Sequence, residues 1–260
     1  MNKVAKITLG FWIMKICATT LGETGGDLLS MTLHIGYAMS SAILFSLFLV
    51  AVIAQITSKK FNPALYWTVI LATSTAGTTM SDFMDRTLHL GYAKGSTILF
   101  SGLLIVLAVW YLSEKSLSVN NIQKPREEIF YWVAILFSNT LGTALGDFLA
   151  DSSGLGFSGG ALLIGSLIGL LALAFYFTKI NRVALFWIAF VLTRPFGATF
   201  GDLLTKPVAR GGLDFGTIGS SIILATILST LVIYTSIKDK KLAENQDLSN
   251  NNITIKSPDA

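Results

Sequence analysis

Long apolar runs alternate with short polar breaks along almost the whole chain. Four of these runs carry almost no charge and cover about residues 37–56, 92–112, 157–177 and 216–235. Each is preceded by another apolar run that also contains small and polar residues. A run of about 20 residues is long enough to cross the ~30 Å hydrocarbon layer of a membrane. The pattern therefore predicts an all-α integral membrane protein with eight transmembrane helices.

One motif occurs four times in the more polar runs. An aromatic residue and a tryptophan are followed by a glycine ten residues after the tryptophan and by an aspartate fifteen residues after it. The aromatic pairs are Phe11-Trp12, Tyr66-Trp67, Tyr131-Trp132 and Phe186-Trp187. The glycines are Gly22, Gly77, Gly142 and Gly197, and the aspartates are Asp27, Asp82, Asp147 and Asp202. Four matches in one register indicate four copies of a unit made of a helix, a short loop and a second helix.

The spacing of the copies divides the chain into two halves. Equivalent residues lie 55, 65 and 55 positions apart, and the longer central interval contains the polar segment 113–128. Because each copy has two helices, every copy enters the membrane from the same side, which makes the copies parallel repeats. We expect one transmembrane domain, residues 1–240, with repeats at 7–58, 62–115, 127–180 and 182–237.

Basic residues predict the orientation of the helices. Most lysines and arginines lie near the N-terminus, between the repeats or just after the last helix, whereas the opposite loops hold Arg86, Lys94, Lys206 and Arg210. Lysine and arginine favour cytoplasmic loops, so both termini are expected in the cytoplasm. The polar residues 241–260 are expected to form a disordered cytoplasmic tail.

Composition supports a membrane protein and excludes several other classes. The chain is 52% hydrophobic and 13% charged, where a soluble domain carries about 25% charged residues. Its single cysteine, Cys17, excludes an intrachain disulfide. The sequence has no phosphate-binding loop, Cys-x-x-Cys pair or nucleophile elbow, and its loops are too short for a catalytic domain. We therefore expect neither an enzyme nor a nucleic-acid-binding protein, and no resident cofactor.

The arrangement resembles a family of bacterial membrane proteins built from four copies of a two-helix, tryptophan-containing repeat of unknown function. The resemblance rests on the four aromatic-tryptophan pairs and the four Gly-x-x-x-small-Asp elements, and it covers about residues 7–236. It implies a multi-pass protein of the bacterial inner (plasma) membrane. It implies no reaction.

Each motif contains two small residues four positions apart, so both lie on one helix face and allow a neighbouring helix to approach closely. These predicted helix-packing residues are Gly22 and Gly26, Gly77 and Ser81, Gly142 and Gly146, and Gly197 and Gly201. Close packing would bring the four following aspartates together.

The four aspartates are candidate functional residues because carboxylates are costly in an apolar setting. Three explanations are open. Each aspartate caps the turn that follows it, or pairs with the buried cations Lys15 and Arg194, or joins the other three around a central path that binds a cation or protons. The third explanation is favoured.

Ionisable residues make the copies unequal. Glu23 occurs in the first copy alone, and Thr78, Thr143 and Ala198 stand at its place in the other three. We expect Glu23 and Asp27 to supply metal ligands, and the other three repeat aspartates, Asp82, Asp147 and Asp202, to complete or relay the site.

Supporting roles are expected for the two buried cations and for a set of hydroxyls. The hydroxyl residues are Thr20, Thr75 and Thr140, each seven positions before an aspartate and so on a similar helix face. The alternative is that each threonine bonds back to its own helix. Lys15 and Arg194 would keep the empty site electrostatically tolerable.

Several residues are expected at an outer mouth. His34 and His89, the only two histidines, occupy matching positions seven residues after an aspartate, and Asp85 and Asp151 add acid nearby. The histidines are either plain loop residues or a pH-sensing or metal-binding pair. The tryptophans are expected to anchor the helices at the membrane interface.

Together these features favour a secondary transporter or exporter of a small cation, such as manganese, exchanged for protons. Oxygen ligands suit such an ion. The alternative is a non-transporting membrane scaffold or sensor in which the Asp and Gly elements are structural. A lipid-directed enzyme with a phosphate near Lys206 and Arg210 is a weaker third hypothesis.

The expected partners are the lipid bilayer and a small inorganic ion, and a homodimer is compatible with the sequence.

Overall fold

The structure, a computed structural model, describes residues 3–58, 60–120, 122 and 124–255, with side chains described as far as residue 238. Within these residues the chain is helical and contains no strand. Eight long helices follow one another: α1 (Leu9–Asp27), α2 (Tyr37–Thr57), α3 (Pro63–Asp82), α4 (Tyr92–Glu114), α5 (Pro125–Asp147), α6 (Gly156–Phe177), α7 (Arg182–Thr205) and α8 (Thr217–Ile255). The repeats thus fold as the predicted helix pairs.

Local sequence signals fix where the first helix of a repeat begins. The Thr8 hydroxyl accepts a hydrogen bond from the Phe11 amide at 3.2 Å and so caps α1. Pro63 and Pro125 open α3 and α5, where a proline loses nothing because the first helical amide has no partner within the helix.

A tight turn connects the two helices of each of the first three repeats. It is a π-helical turn of five residues, at Leu28–Thr32, Phe83–Thr87 and Phe148–Ser152. In the fourth repeat α7 continues past Asp202 to Thr205, and the connection between α7 and α8 contains a short 3-10 helix at Val208–Arg210. This repeat therefore presents a different surface at the same end of the bundle.

The helices form two concentric rings. The first helices of the repeats make the inner ring, in which α1 packs on α3, α3 on α5, α5 on α7, and α7 on α1. The second helix of each repeat packs on the first helix of the following repeat: α2 on α3, α4 on α5, and α6 on α7. The last helix, α8, packs on α1 and closes the outer ring. We call the end with the loops between repeats the loop end, and the other the turn end.

The two rings differ in the surface that they expose. Six helices within the described residues are long and apolar enough to cross a membrane: α2, α4, α6 and α8 of the outer ring, and α5 and α7 of the inner ring. In α6 only 17% of the most apolar window is buried inside the protein, against 67% in α5. The inner helices α1 and α3 are not among these six because they contain more polar residues. The outer ring covers them, so their polar residues need not face lipid.

Aromatic side chains close the inner ring at its loop end. Phe11, Tyr66, Tyr131 and Phe186 lie at equivalent positions, and the hydroxyl oxygens of Tyr66 and Tyr131 are 2.6 Å apart. The ring centroids of Phe11 and Phe186 are 6.5 Å apart. Among the described residues, Tyr66 and Tyr131 of this cluster are fully buried, and Phe11 and Phe186 are buried too.

The neighbouring tryptophans belong to the same closed end. Trp67, Trp132 and Trp187 are buried, and Trp12 is half-buried. The prediction that they anchor the helices at the membrane interface is wrong for the three buried ones, because they pack against aromatic residues inside the protein.

A polar network covers this end. Lys3 Nζ lies 3.1 Å from the fully buried carboxylate of Glu128, and Gln55 donates to the other oxygen of that carboxylate at 3.2 Å. Lys3 also donates to the carbonyl of Ile56 at 2.8 Å. The segment before α1 is therefore tied to α2 and α5.

The C-terminal helix is longer than the sequence pattern suggests. Residues 241–255, expected as part of a disordered tail, continue α8, and residues 256–260 of that tail lie outside the described residues.

Candidate functional site

Small residues let the inner helices meet. A side-chain carbon added to Gly22 would lie 2.3 Å from Ser74, and one added to Gly77 would lie 3.0 Å from the backbone of Asn139. Similarly close contacts continue around the ring: a side-chain carbon added to Gly142 would meet Arg194, and one added to Gly197 would meet Thr19.

The second small residue of three repeats makes a similar contact. Gly26 faces Thr78, Gly146 faces Ala198, and Gly201 faces Glu23. Ser81 takes this place in the second repeat and donates to Asp85 at 3.5 Å. Each inner helix thus presents its small residues to the next one, and the polar positions beside them converge on the ring axis.

The first group of polar residues on the axis is the sealed tier, which we define as Glu23, Thr78, Thr143 and Arg194. Arg194 is fully buried, and its Nη2 lies 3.0 Å from Glu23 Oε2 and 2.7 Å from the hydroxyl of Thr143. The same nitrogen contacts the Thr78 hydroxyl. One side chain from each inner helix takes part, which makes this ion pair a cross-link of the whole ring.

The geometry of the sealed tier explains the sequence differences between repeats. Glu23, Thr78 and Thr143 are equivalent positions, and the fourth repeat has Ala198 there. Arg194 comes one helical turn earlier in its repeat, at the position of Thr19, Ser74 and Asn139. It packs against Gly142, where any added carbon would lie 2.4 Å from its side chain. The arginine thus fills the space that a fourth polar side chain would take.

The second group is the open tier, which we define as the four repeat aspartates with Arg86 and Lys206. Arg86 bridges its own helix and the next one, with Nε 3.0 Å from Asp82 Oδ1 and Nη2 3.2 Å from Asp147 Oδ2. Lys206 does the same for the other two carboxylates. Its Nζ lies 3.1 Å from Asp202 Oδ1 and 2.5 Å from Asp27 Oδ2.

The open tier therefore has two-fold rather than four-fold character. Arg86 and Lys206 occupy the same place in the second and fourth repeats, four residues after the aspartate, and Met31 and Asp151 hold it in the other two. Each cation brings one positive charge to a pair of carboxylates, which carry two negative charges when both are ionised. The two bridges join the second repeat to the third and the fourth repeat to the first, so each crosses the boundary between the two halves that the 55, 65, 55 spacing predicts.

Lys206 stays charged in this setting. Burial lowers the pKa of Lys206, but the carboxylates of Asp202 and Asp27 raise it by more, so this pKa lies above its ordinary value. The ammonium therefore remains available as a counter-ion.

Three carboxylates converge closely enough to share a cation. One oxygen each from Glu23, Asp147 and Asp202 can be chosen so that all three lie within 4.8 Å of one another, and all three residues are buried. They come from α1, α5 and α7. The pair expected from sequence, Glu23 with Asp27, is replaced here by Glu23 with two aspartates of later repeats, and Asp27 lies against Lys206.

A cavity of about 290 Å³ at the turn end reaches one of these three carboxylates, that of Asp202. Its walls include Asp202, Lys206 and Arg86 of the open tier, together with Asp151, Arg210 and Phe157. Phe157 stands where the first two repeats have Tyr37 and Tyr92. Those tyrosine hydroxyls contact Arg86 and Asp151 at 3.0 and 3.1 Å. Phenylalanine offers no such hydroxyl to Lys206.

The structure distinguishes between the three explanations offered for the aspartates. Asp27, Asp82 and Asp147 each precede a π-helical turn but make no side-chain capping bond there, so capping does not account for them. Ion pairing does occur, but the cations are Arg86 and Lys206. Arg194 pairs with Glu23 instead.

Lys15 is buried but contacts no carboxylate. Its Nζ lies 3.3 Å from the Asn139 side-chain oxygen and 4.0 Å from the centre of the Phe190 ring. The predicted supporting role of Lys15 as a counter-ion of the acids is therefore wrong. The contact with an aromatic face partly replaces the water that the ammonium has lost.

Of the two interpretations of the repeated threonines, the structure confirms bonding to their own helix and not the hydroxyl-lined path. Thr20, Thr75 and Thr140 donate to carbonyls of their own helices, at Ile16 (2.9 Å), Leu71 (3.2 Å) and Leu136 (2.9 Å). Threonine in a helix commonly bonds to the preceding turn in this way. The hydroxyls that do face the axis are those of Thr78 and Thr143, at the position of Glu23.

The expected outer mouth is formed only in part. Asp151 lies on the wall of the turn-end cavity and accepts a hydrogen bond from Tyr92. Asp85 is buried away from it, against Gly95 and Ser81. His34 and His89 are exposed in left-handed turns with φ of 55° and 56°.

Arg86 and Lys206 are the site residues that the sequence interpretation missed. Both had been assigned to the outer loops on the basis of charge. The available signal was their spacing, since each follows an aspartate by four residues and so returns to the same face.

Comparison with known proteins agrees with the repeat structure. The family model described as Repeat of Unknown Function (DUF347) matches residues 10–61, 65–116, 130–181 and 185–240. No curated protein and no solved structure matches the chain.

Proposed function

We propose that this chain, which belongs to the DUF347 repeat family, is a secondary transporter or exporter of a small cation that exchanges the ion for protons. The cation binds between Glu23, Asp147 and Asp202 on the axis of the inner ring. The observation that carries the proposal is the convergence of these three buried carboxylates from three helices.

The charges of the site favour a cation. Among the described residues, the five carboxylates contact three positive side chains, Arg86, Arg194 and Lys206; these carboxylates are Glu23, Asp27, Asp82, Asp147 and Asp202. With all groups ionised, two negative charges remain uncompensated. One divalent cation or two protons neutralise them, which is the stoichiometry of an exchange. Carboxylate oxygens favour a hard ion such as Mn²⁺ or Mg²⁺ over thiolate-seeking metals.

Access to the site supports alternating exposure. The turn-end cavity reaches Asp202 and Lys206, while the aromatic cluster and the Lys3–Glu128 network close the loop end. A transporter needs a second conformation in which the loop end opens and the turn end closes. The repeated, small-residue contacts between inner helices are surfaces on which such a movement can occur.

The proposal includes the topology predicted from charge. All eight helices cross the bacterial inner membrane, α1 and α3 inside the outer ring, and both termini lie in the cytoplasm. The turn-end cavity then faces outward. Charge placement supports this orientation because basic residues concentrate at the loop end.

Ion flux into proteoliposomes tests the function. Purified protein is reconstituted, a pH gradient is applied, and Mn²⁺ entry is followed with an enclosed fluorescent indicator. We expect flux with the wild type and at least a tenfold loss in Asp147→Asn and Asp202→Asn. Glu114→Gln, at the loop end, is the control and should retain flux. Equal flux in all four proteins would contradict the site.

The scaffold hypothesis remains a second candidate because every one of the five acids has a positive partner. On that account the open tier only stabilises the fold. Wild-type protein would then move neither Mn²⁺ nor protons, and the aspartate variants would differ from it in thermal stability alone.

A further inference from the structure

Three positive side chains hold the carboxylates, and they are not equally fixed. Arg194 is fully buried and contacts acceptors on all of the other inner helices. Arg86 contacts two carboxylates and also donates to the Tyr37 hydroxyl at 3.0 Å. A guanidinium held at several points in this way is pre-organised, so moving it breaks several bonds together.

Lys206 is held more simply. Among the described residues its ammonium contacts Asp27, Asp202 and, at 3.9 Å, the sulfur of Met31. A lysine presents a compact charge on a flexible four-carbon stem. Lys206 can therefore leave its two carboxylates by rotating its side chain, with no change in the helices.

The structure also provides a place for the displaced ammonium. The side chain of Lys206 is 15% exposed and lines the turn-end cavity. Asp151, on the wall of the same cavity, is an exposed carboxylate whose partner is a neutral tyrosine hydroxyl. The third repeat supplies Phe157 to the wall of this cavity, at the position where the first two repeats have a tyrosine.

We propose that Lys206 is a tethered counter-cation: it occupies Asp27 and Asp202 when the site holds no transported ion, and moves into the turn-end cavity when an ion binds. This inference rests on the proposed cation transport and adds a counter-charge for Asp27 and Asp202 while no ion is bound. The arriving ion takes the place of the ammonium beside Asp202. When the ion departs, Lys206 returns, so Asp27 and Asp202 regain a positive partner.

The chain offers a natural test substitution. Met31 holds the same position in the first repeat as Lys206 in the fourth, so Lys206→Met replaces the lysine with a residue that the scaffold already uses there. Lys94→Met, at an exposed position early in α4, is the matched control. Mn²⁺ affinity is measured by calorimetry on full-length protein in detergent.

Removing the competitor should tighten binding. We expect the Kd for Mn²⁺ to fall about tenfold or more in Lys206→Met, equivalent to about 1.4 kcal/mol, and to stay unchanged in Lys94→Met. Binding by Lys206→Met with no detectable binding by the wild type also supports the inference. Unchanged or weaker binding in Lys206→Met beside clear wild-type binding overturns the inference and leaves the transport proposal standing. No binding by any of the proteins overturns both.

A second measurement needs no variant at position 206, so it does not depend on the folding of Lys206→Met. The wild type is treated with a water-soluble amine-acylating reagent, with and without saturating Mn²⁺, and modification is quantified by mass spectrometry. We expect Lys206 to react at least about fivefold faster with Mn²⁺ bound, while Lys94 reacts at the same rate. Equal reactivity of Lys206 in both states overturns the inference.

Discussion

The sealed tier and the open tier lie one helical turn apart on the same four helices, yet they differ in nearly every physical respect. The sealed tier joins one carboxylate to one arginine and two hydroxyls, all buried. The open tier holds four carboxylates with two cations and meets a cavity. A single repeat motif therefore produces a neutral cross-link and a charged, accessible group. The difference arises from a few substitutions between the copies.

Breaking the sealed tier should have the largest effect. Arg194→Met leaves Glu23 buried without a partner, and removal of one member of a buried ion pair costs about 3–5 kcal/mol. We expect loss of folded protein or a large fall in melting temperature, measured by scanning fluorimetry in detergent. Arg210→Met, at an exposed position, is the control.

A double variant separates the charge from the packing. Adding Glu23→Gln to Arg194→Met removes the unpaired charge, so much of the lost stability should return. A double variant no more stable than Arg194→Met would show that the arginine acts through its packing and not through the ion pair.

The second-largest loss of stability is expected when the space around Arg194 in the sealed tier is reduced. Gly142→Ala places a carbon 2.4 Å from the Arg194 side chain, and overpacking of this kind costs about 1–3 kcal/mol. Gly169→Ala in α6 is the matched control because no atom lies within 4 Å of the added carbon. A lower melting temperature is expected for the first and not for the second. Equal stability of the two variants would mean that the inner helices are less closely packed than described.

Substitutions in the open tier should affect flux more than folding. Asp202→Asn keeps the shape of the side chain but removes a charge from the candidate ligand set, so ion flux should fall at least tenfold. Asp85→Asn is the buried control that faces Gly95 and lies outside both tiers. An equal loss of flux in both variants would mean that flux depends on any buried aspartate and not on its place in the open tier.

The smallest effect is expected outside both tiers. His34 and His89 are exposed in left-handed turns, a conformation that asparagine adopts readily. The double variant His34→Asn/His89→Asn should change stability by no more than about 0.5 kcal/mol and leave ion flux unchanged. A shifted pH dependence of flux would instead give the histidines a sensing role.

The sequence predicts the repeats and their helix pairs because both follow from local patterns. Gly22 and its equivalents also signal close packing through their four-residue spacing. The order of packing is not local: nothing in the pattern shows that α2 packs on α3, or that α8 returns to α1. Helix–helix contacts of this kind depend on the closure of the whole ring.

The site was predicted less completely for a related reason. The acids are visible in the sequence because carboxylates are rare in apolar runs. Their partners Arg86 and Lys206 carry a weaker signal, the four-residue spacing from an aspartate, because each lies just beyond that aspartate where the pattern predicts a loop. The role of the threonines at positions 20, 75 and 140 stayed open in the sequence, because a helical period gives only an approximate direction and bonds to the preceding turn compete.

The most direct test of the central claim is to locate a bound ion. Crystals of the wild type grown with Mn²⁺ are measured at a wavelength where manganese scatters anomalously. The account predicts an anomalous peak between the carboxylates of Glu23, Asp147 and Asp202, absent in Asp202→Asn crystals grown in the same way. Wild-type crystals without a peak at this position, or with peaks confined to the protein surface, would contradict it.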